Sequence, residues 1–393
     1  MKKIGLIPKL LIGIILGILI GLNASETVIS VLQTVKNVLG SIIFFTIPMV
    51  IIGFVTPAIS GLRKNASQML GTYLGISYSS AVGASLFSAA AAYIIVPMLN
   101  ISSKAETLKE IPKLGFKLTI DPIMPVMSAL VLAIMLGVSI IWTKSEKVDA
   151  LFGEFQNMIL SIVNKIIIPI LPIYILTTFS GLAYEGLLTK QLPIFFKMII
   201  LVIIGHFIWL TLLYTIAALI SKKNPFEVIK HYPPVYLTAM GTMSSAAALP
   251  VALTQAKKSK VLPDEVVNFA IPLGATTHLS GSVLTETFFC MTIAQMLYGQ
   301  MPSFGTILLF SLLFGIFAVG APGVPGGTVM ASLAIVTSIL GFDGDGVGLL
   351  IAIFAIQDSF GTACNVTGDG ALALILRGLF YKDVEDKPDN QIA

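Results

Sequence analysis

Apolar runs long enough to cross a lipid bilayer recur along nearly the whole chain. A helix that spans the hydrocarbon layer needs about 20 predominantly apolar residues. Of the 393 residues, 56% are hydrophobic and only 11% are charged, against roughly one quarter charged in an average soluble domain. The polar connections are short and leave no room for a separate soluble domain. The sequence therefore predicts one all-α integral membrane domain over 1–393, embedded in a lipid bilayer.

The apolar runs predict six helices in the N-terminal part of the chain, 1–232. They cover 4–22, 39–61, 68–98, 118–142, 155–183 and 193–220. After that point, shorter pieces broken by Gly, Pro and small residues occur twice, each followed by a long helix. The broken pieces are 234–256 and 303–341, and the long helices are 264–298 and 347–378. Broken apolar segments in corresponding positions are typical of a transporter's binding site. We therefore expect the functional core in 233–380, followed by a polar tail at 381–393.

Lys and Arg residues indicate how the chain is oriented and which partners it lacks. Most of the basic loops fall on one side of this layout, and 104–117 is the exception. Because basic loops stay on the cytoplasmic side, we expect a multi-pass protein of the cytoplasmic (inner) cell membrane with both termini in the cytoplasm. The net charge of +4 is small and lies in short loops, which does not indicate a nucleic-acid partner. The N-terminal apolar run predicts a membrane helix rather than a signal peptide.

Four polar side chains form one stripe on the predicted helix 347–378. They are Asp358, Thr362, Asn365 and Asp369. At about 100° per residue they fall within a sector of about 60°. An Asp at membrane depth costs about 2.5–3.5 kcal/mol on insertion scales, so two Asp residues on one stripe indicate a cation, a substrate or a polar partner. Polar contacts between helices, or a solvated Asp369 near the membrane surface, remain alternatives.

Two segments predict turns inside the broken pieces. Gly320–Gly327 is so rich in Gly and Pro that it cannot continue a helix, and its exposed backbone groups could bind a carboxylate and a cation. A plain loop is the alternative there. Met243–Pro250 combines hydroxyls with small residues, but small residues also occur wherever two helices pack closely. We interpret both segments as hairpin tips.

A third segment, Gly274–Ser282, predicts a break within the helix 264–298, with Glu286 one turn further on. A carboxyl group inside a membrane is a natural proton carrier, because burial favours its protonated form. A static bridge from Glu286 to His278 or Lys165 is the alternative. Lys165 itself is expected to reach towards the membrane surface, and His206 to have a hydrogen-bonded packing role.

With these motifs in this order over about 240–370, the chain resembles the dicarboxylate/amino acid:cation symporter family, the glutamate-transporter homologues. The resemblance implies eight transmembrane helices plus two re-entrant helical hairpins, assembled as a homotrimer. It also implies an elevator-type transporter, with a scaffold built largely from helices one, two, four and five. Such a protein is a secondary active symporter rather than an enzyme, and it uses no organic cofactor.

The resemblance also implies a substrate site. Asp358 would bind the amino group of the substrate and Asn365 its main carboxylate. The other residues of the pocket would be Met243, Ser244, Ser245, Ser282, Val324, Gly361 and Thr362.

Sodium sites are implied in the same way. Asp369 and Asn365, with the backbone carbonyls of Gly274 and His278, would hold one Na⁺ as a coupling ion. Thr276 and the second-hairpin carbonyls near Ala321 would hold another.

Departures from the family pattern bear on the substrate and on the cation. Members that take acidic substrates carry an Arg at the position of Gly361, which would grip a side-chain carboxylate. Its absence favours a neutral amino acid, and Gln357-Asp358-Ser359 looks like the serine/threonine branch. The helix-seven motif of the family, Asn-Met-Asp-Gly-Thr, reads His278-Leu279-Ser280-Gly281-Ser282, which predicts the loss of a further sodium site.

Several alternatives stay open at this point. Glu286 stands where proton-coupled members carry a Glu, so H⁺ could be coupled alone or together with Na⁺. A dicarboxylate or an acidic amino acid is the alternative substrate. An ion channel, which would have a continuous pore lining, is the alternative class. An enzyme is not expected, because the three His and two Cys residues show no catalytic spacing.

Overall fold

The computed structural model describes residues 6–64, 68–99, 101, 111–321, 323, 325–382 and 384–388. Every regular element in that part of the chain is helical. The α-helices are α1 (Leu6–Asn23), α2 (Glu26–Lys64), α3 (Gln68–Ile95), α4 (Val126–Thr143), α5 (Glu146–Ile162), α6 (Ile168–Tyr184), α7 (Leu187–Ser221), α8 (Phe226–Ile229), α9 (Pro233–Thr242), α10 (Ser245–Lys257), α11 (Asp264–Thr277), α12 (Ser280–Tyr298), α13 (Phe304–Gly320), α14 (Gly327–Ser338) and α15 (Gly344–Phe380). A 3₁₀ turn at Val96–Leu99 prolongs α3, and a π-helical turn at Val163–Ile167 joins α5 to α6.

Among the described residues, five helical segments are long and apolar enough to cross a membrane, judged by length and composition. They are Glu26–Pro57, Gln68–Leu99, Glu146–Tyr184, Ile194–Ser221 and Gly344–Phe380. Shorter apolar helices are Pro8–Asn23, Val131–Thr143, Phe304–Gly320 and Gly327–Ser338. This architecture agrees with the predicted all-α membrane class.

Helix α2 extends further towards the N-terminus than the predicted helix 39–61. The helix begins at Glu26 rather than at 39, because the polar side chains that interrupt its apolar run bind the segment before α4 instead of ending the helix. The Gly115 N–H donates to Thr34 Oγ1, and the Leu118 N–H donates to Asn37 Oδ1, both at 2.9 Å. These hydrogen bonds join residues 81 positions apart, so the hydropathy pattern of the helix does not predict them.

The start of α4 is also misplaced in the prediction. The helix begins at Val126 rather than at 118, and Pro125 stands before its first residue with φ −56° and ψ 145°. The helix cannot begin earlier, because Pro122 and Pro125 disfavour the helical conformation at the residues before them, Asp121 and Met124. The apolar character of 118–125 therefore does not make it helical.

Both broken pieces of the sequence form pairs of short helices. The pair α9–α10 turns at Met243, whose φ of 50° is in the left-handed region, and Ser244 begins α10 as its N-cap. The pair α13–α14 turns between Ala321 and Gly326, and Gly326 has φ 72°. The predicted helix 264–298 is interrupted at His278 and Leu279, between α11 and α12. The predicted turns and the predicted break are thus present.

The centre of the molecule is built around α12 and α15. Every residue from Ser280 to Ala294 of α12, and every residue from Gly361 to Gly378 of α15, is buried. Both helices pack against each other and against α7, while α3 packs on α12 and α9 on α15. The C-terminal core thus includes two helices, α3 and α7, from the N-terminal part of the chain.

Three glycines bring α1 against α6 at backbone distance. A Cβ atom added to Gly13, Gly17 or Gly21 would lie 2.6, 2.5 and 2.3 Å from the carbonyl oxygens of Pro172, Leu176 and Ser180 respectively. Small residues at helical spacing allow this kind of contact between membrane helices. Any side chain on this face of α1 would therefore push the two helices apart.

We expect Gly17→Ala to destabilise the protein by about 1–3 kcal/mol, because an added methyl group in a closed contact forces the backbone to move. The measurement is the midpoint of thermal unfolding in detergent. Gly71→Ala in α3 is the matched control, because no described atom lies within 4 Å of the added Cβ. The control should change stability by no more than about 1 kcal/mol, the helix-propensity difference between Gly and Ala. Equal midpoints for both variants would contradict the close contact.

Candidate functional site

The candidate site lies in the middle of α15, where the two hairpin tips and the α11–α12 break converge. All four stripe residues are buried: Asp358 and Thr362 are each 5% exposed, and Asn365 and Asp369 are each 1% exposed. The predicted stripe therefore faces inward. Asp358, Asn365 and Asp369 each have a partner on a different element, whereas Thr362 donates to Asp358 on the same helix.

Asn365 caps the N-terminus of α12. Its Oδ1 accepts hydrogen bonds from the backbone N–H groups of Gly281 at 2.8 Å and Ser282 at 3.1 Å. These N–H groups stand in the first turn of a helix, where they have no intrahelical acceptor. The Nδ2 group donates to Ser282 Oγ at 2.8 Å. The Asn365 side chain thus supplies the acceptor that the first N–H groups of α12 lack. Its implied roles in binding the substrate and sodium stay predictions.

Asp358 makes a similar contact with the second hairpin. Its Oδ2 accepts a hydrogen bond from the backbone N–H of Gly326 at 2.9 Å, and Thr362 Oγ1 donates to Oδ1 at 3.4 Å. Gly326 immediately precedes α14, so the carboxylate lies at the N-terminal end of that helix. The negative charge has no basic side chain as partner among the residues described. A buried carboxylate in this state is suited to bind a cationic group.

The two hairpin tips touch each other beside Asp358. Ser244 Oγ donates to the carbonyl oxygen of Gly323 at 2.9 Å, and the same oxygen of Ser244 accepts from the Ala247 N–H as the cap of α10. A Cβ atom on Gly323 would lie 2.7 Å from the carbonyl oxygen of Ala275, so the second tip also contacts the end of α11. The neighbouring Ser245 is 2% exposed.

A narrow crevice runs from the tips towards the N-terminal helices. Its polar edge is Asp358, and Met243, Pro325 and Gly326 contribute the tips of both hairpins. The opposite wall is apolar and comes from α1 and α6. Val324, predicted for this tip, lies outside the described residues. The structure therefore brings Met243 and Asp358 to one cavity.

Asp369 is paired with the side chain of His278. The Asp369 Oδ1 atom accepts from His278 Nδ1 at 2.9 Å, and His278 Nε2 lies 2.9 Å from Ser80 Oγ on α3. The family resemblance implied a role beside Asp369 only for the backbone carbonyl of His278, not for its side chain. Because Nδ1 carries the hydrogen, Nε2 of a neutral ring accepts from the Ser80 hydroxyl. A three-residue chain therefore connects α3, the helix break and α15.

One oxygen of Asp369 remains available for a cation. Within the described part of the chain, Asp369 Oδ2 and Tyr73 Oη are buried without a hydrogen-bond partner. Both Tyr73 Oη and the Asp369 carboxylate lie against Gly274, because a Cβ on that glycine would be 2.5 and 2.6 Å from them. Oxygen atoms are the ligands that hard cations prefer. These residues fit a sodium ion at Asp369.

The other predicted sodium ligands are Thr276, Ala321 and Gly274, and two of them form hydrogen bonds within their own helix. Thr276 is exposed, and its hydroxyl donates to the carbonyl oxygen of Leu273 at 2.9 Å. Ala321 is 2% exposed at the end of α13. Gly274 uses its carbonyl oxygen to accept the His278 N–H at 2.9 Å. Their roles as sodium ligands stay predictions.

Glu286 is fully buried on α12 and contacts the second hairpin. Ser332 Oγ on α14 donates to Glu286 Oε1, while Oε2 has no partner among the described residues. The alternative of a static bridge to His278 or Lys165 is wrong, because His278 is bonded to Asp369 and Lys165 is exposed. The Glu286 carboxyl group therefore lies at the contact between α12 and α14, the second helix of the α13–α14 hairpin.

A polar chain next to Gly361 was not predicted. His206 is buried, as expected, and its Nε2 lies 3.0 Å from the Gly281 carbonyl oxygen and 2.9 Å from Thr285 Oγ1. Thr285 Oγ1 in turn donates to Gln357 Oε1 at 2.9 Å. A Cβ on Gly361 would be 3.4 Å from Ser282 Oγ and 3.6 Å from Gln357 Oε1. The i, i+4 spacing of Gln357 and Gly361 on one helix was the sequence signal that could have predicted this contact.

A second unpredicted cluster joins α2 to the start of α15. Lys36 forms an ion pair with Asp345 beside a cavity of about 300 Å³ that Gln33, Asn37 and Tyr174 help to line. Burial and the negative charge of Asp345 raise the pKa of Glu185 to about 7, against the opposing effect of Lys36. This contact fixes one end of the core against the N-terminal helices.

These features agree with comparisons to known proteins. The profile of the sodium:dicarboxylate symporter family matches residues 6–379, which includes the stripe, both hairpins and the helix break. The chain belongs to the sodium:dicarboxylate symporter family. The resemblance inferred from the motifs is therefore confirmed.

Two relatives show how far the similarity extends. The chain is 26% identical over 392 residues to the serine/threonine transporter SstT of Streptococcus agalactiae serotype III (strain NEM316), covering 94% of each protein. It is 30% identical over 243 residues to excitatory amino acid transporter 2 of Homo sapiens, which is 60% of this chain and 42% of that protein. The chain thus spans under half the length of the human relative.

We expect Asn365→Ala to lower stability more than Ser282→Ala. The first variant leaves two buried N–H groups of α12 unpaired, each at about 1–3 kcal/mol, whereas the second removes one hydroxyl and keeps the cap. Thermal unfolding of both variants in detergent measures the difference. Equal losses of stability would show that Asn365 does not hold the N-terminus of α12.

Proposed function

We propose that this protein is a secondary active symporter that imports a small neutral amino acid of the serine/threonine type, driven by sodium. The observation that carries the proposal is Gly361 beside the buried Asp358. Asp358 can hold the ammonium group that every amino acid carries. Gly361 leaves no guanidinium for a second carboxylate, and its nearest neighbours are the neutral Ser282 and Gln357.

The substrate would lie between the hairpin tips and α15. Asp358 would bind its ammonium group through a charge-assisted hydrogen bond. Asn365 and the backbone N–H groups of the tips would bind its main carboxylate. Because Asp358 also accepts the Gly326 N–H at 2.9 Å, ammonium binding and closure of the second hairpin would use the same carboxylate.

The fold fits a transporter with eight membrane helices and two re-entrant hairpins. The crossings would be α1, α2, α3, α4, α5–α6, α7, α11–α12 and α15, with α9–α10 and α13–α14 as the hairpins. Eight crossings place both termini on one side, which we take to be the cytoplasm. The close packing of α3 and α7 on the core supports an elevator movement of these helices with it, against α1, α2, α4 and α5–α6. We propose a homotrimer in the cytoplasmic membrane.

Sodium is the proposed coupling ion. Asp369, with its free oxygen and Tyr73 nearby, would hold one ion, and Thr276 with carbonyl groups near Ala321 would hold another. Bound sodium would supply positive charge that offsets the buried carboxylates. A proton on Glu286 is a second coupling ion that the site supports, because its carboxyl group contacts Ser332 of the hairpin that must move.

Uptake into proteoliposomes tests the proposal. Labelled serine, alanine, aspartate and succinate are supplied under separate sodium and proton gradients. We expect uptake of serine and alanine driven by sodium. Transport of succinate or aspartate without any neutral amino acid would instead support the dicarboxylate alternative, and a conductance without coupling would support a channel.

We expect Asp358→Asn to abolish uptake of neutral amino acids, because a neutral amide does not attract the ammonium group. The loss should exceed tenfold, which corresponds to about 1.4 kcal/mol of binding free energy. Serine uptake at saturating sodium is the measurement. Asp386→Asn in the C-terminal tail, where the carboxylate pairs with Arg377, is the matched control and should transport normally. Full uptake by Asp358→Asn would refute the assigned role.

We expect Glu286→Gln to remove the dependence of uptake on external pH while sodium-driven uptake continues. Glutamine can keep the contact with Ser332 but cannot exchange a proton. Initial uptake rates between pH 5 and pH 8 in wild type and variant provide the comparison. If the pH profile of the variant matches that of wild type, Glu286 is not the proton carrier.

A further inference from the structure

The side chain of His278 has no role in the proposed function, although it contacts a residue of the proposed sodium site. It directly follows α11 and is fully buried. Its Nδ1 atom lies 2.9 Å from Asp369 Oδ1 on α15, and its Nε2 atom lies 2.9 Å from Ser80 Oγ on α3. Both ring nitrogens are therefore engaged, and each contact reaches a different helix.

These two contacts define the orientation of the imidazole ring. An ionised carboxylate can only accept a hydrogen bond, so His278 Nδ1 is the donor to Asp369. Nε2 of the neutral ring is then an acceptor, and the Ser80 hydroxyl donates to it. Turning the ring over by half a turn would bring carbon atoms to both positions and break both hydrogen bonds. The contacts are therefore compatible with one ring orientation.

Packing restricts the ring further. A Cβ atom on Gly368 would lie 2.7 Å from His278 Cε1, so the ring packs directly on the backbone of α15. Ser80 is 6% exposed and Asp369 is 1% exposed, so bulk water does not reach these hydrogen bonds. His278 is thus a fixed donor to one oxygen of the Asp369 carboxylate.

This donor makes the two oxygens of Asp369 different. The oxygens of a carboxylate are equivalent until a neighbour distinguishes them. Here Oδ1 accepts from His278, while Oδ2 is buried without a hydrogen-bond partner among the described residues. A buried charge costs free energy unless it is hydrogen-bonded. A neutral imidazole supplies that hydrogen bond without adding positive charge, so the carboxylate keeps the charge that attracts a cation.

Helix α3 contacts this arrangement at two points on one face. Tyr73 and Ser80 are both buried and are seven residues apart, which is close to two helical turns. Tyr73 Oη and Asp369 Oδ1 both lie against Gly274, where an added Cβ atom would be 2.5 and 2.6 Å from them. The helix that packs beside Asp369 is therefore also the helix that holds the histidine.

We propose that the side chain of His278, held by Ser80, is a positioning residue that fixes the Asp369 carboxylate for sodium binding. This role rests on the proposed sodium coupling and deepens it. Residues that hydrogen-bond a metal ligand typically contribute about 10–100-fold to metal affinity. The affinity for sodium, and not only the stability of the fold, should therefore depend on this pair of side chains.

Thermal unfolding of the purified protein in detergent, measured over a range of sodium concentrations, tests this role without transport. Choline chloride replaces sodium chloride, so that the ionic strength stays constant. We expect sodium to stabilise wild type, because a ligand that binds only the folded state raises its stability. Asp369→Asn should lose this response, which assigns the response to the site at Asp369.

Ser80→Ala removes only the hydroxyl that holds the histidine, and the small change favours correct folding. We expect it to raise the sodium concentration at half-maximal stabilisation about tenfold. Ser85→Ala is the matched control. Ser85 is also buried on α3 and lies 2.9 Å from Thr287 Oγ1 of α12, but it does not contact His278. The control should keep the sodium dependence of wild type.

Two substitutions of His278 separate positioning from packing. Asparagine carries an N–H group at the same branch position as Nδ1, so His278→Asn keeps a donor for Asp369 and should keep a sodium midpoint close to that of wild type. His278→Leu fills the space without a donor, and we expect its midpoint to rise about 10–100-fold. A role in packing alone would lower the stability without sodium and leave the midpoint unchanged.

Three results would overturn the inference. If wild type responds to sodium, and both Ser80→Ala and His278→Leu, or Ser80→Ala alone where the other does not fold, keep its midpoint, the positioning role is refuted while the proposed function stands. If Asp369→Asn keeps the response, the sodium ion lies elsewhere and the role is refuted in the same way. If sodium neither stabilises wild type nor drives its uptake, the proposed coupling fails and the inference fails with it.

Discussion

Inside a bilayer every backbone N–H of a broken helix needs an acceptor from the protein or its ligands, and α15 supplies acceptors at two such breaks. Asn365 accepts from the start of α12, and Asp358 accepts from the residue before α14. The polar stripe and the interrupted helices are therefore one arrangement. Removing the stripe would leave these helix termini unsatisfied, and closing the breaks would remove the backbone N–H donors that Asp358 and Asn365 accept from.

The parts of this arrangement that follow from local sequence could be predicted. A run such as Gly320–Gly327 cannot be helical, and a stripe of two Asp residues cannot face lipid, whatever the rest of the chain does. Features that depend on a distant partner could not be predicted. The helical start of α2 depends on the backbone at 115 and 118, and His278 contacts Asp369 across 91 positions of sequence. The hydrogen bond between Gln357 and Thr285 could not be predicted either, because Thr285 lies on another helix.

Helix α3 belongs to the N-terminal part of the chain, 1–232, but it packs against the C-terminal core. Hydroxyls on α3 bind the core repeatedly: Ser80 contacts His278, Ser85 Oγ lies 2.9 Å from Thr287 Oγ1, and Ser88 donates to the Leu284 carbonyl oxygen. Each of these hydroxyls is buried, so separating α3 from α12 would expose or unpair several polar groups at once. By contrast, α1 meets α6 through backbone and small side chains. In the proposed elevator movement, α3 would therefore move with the core. The sliding surface would include the contact of α15 with α1 and α6, where the crevice beside Asp358 is narrow and its far wall is apolar, and the contacts of α13 and α14 with α2 and α4.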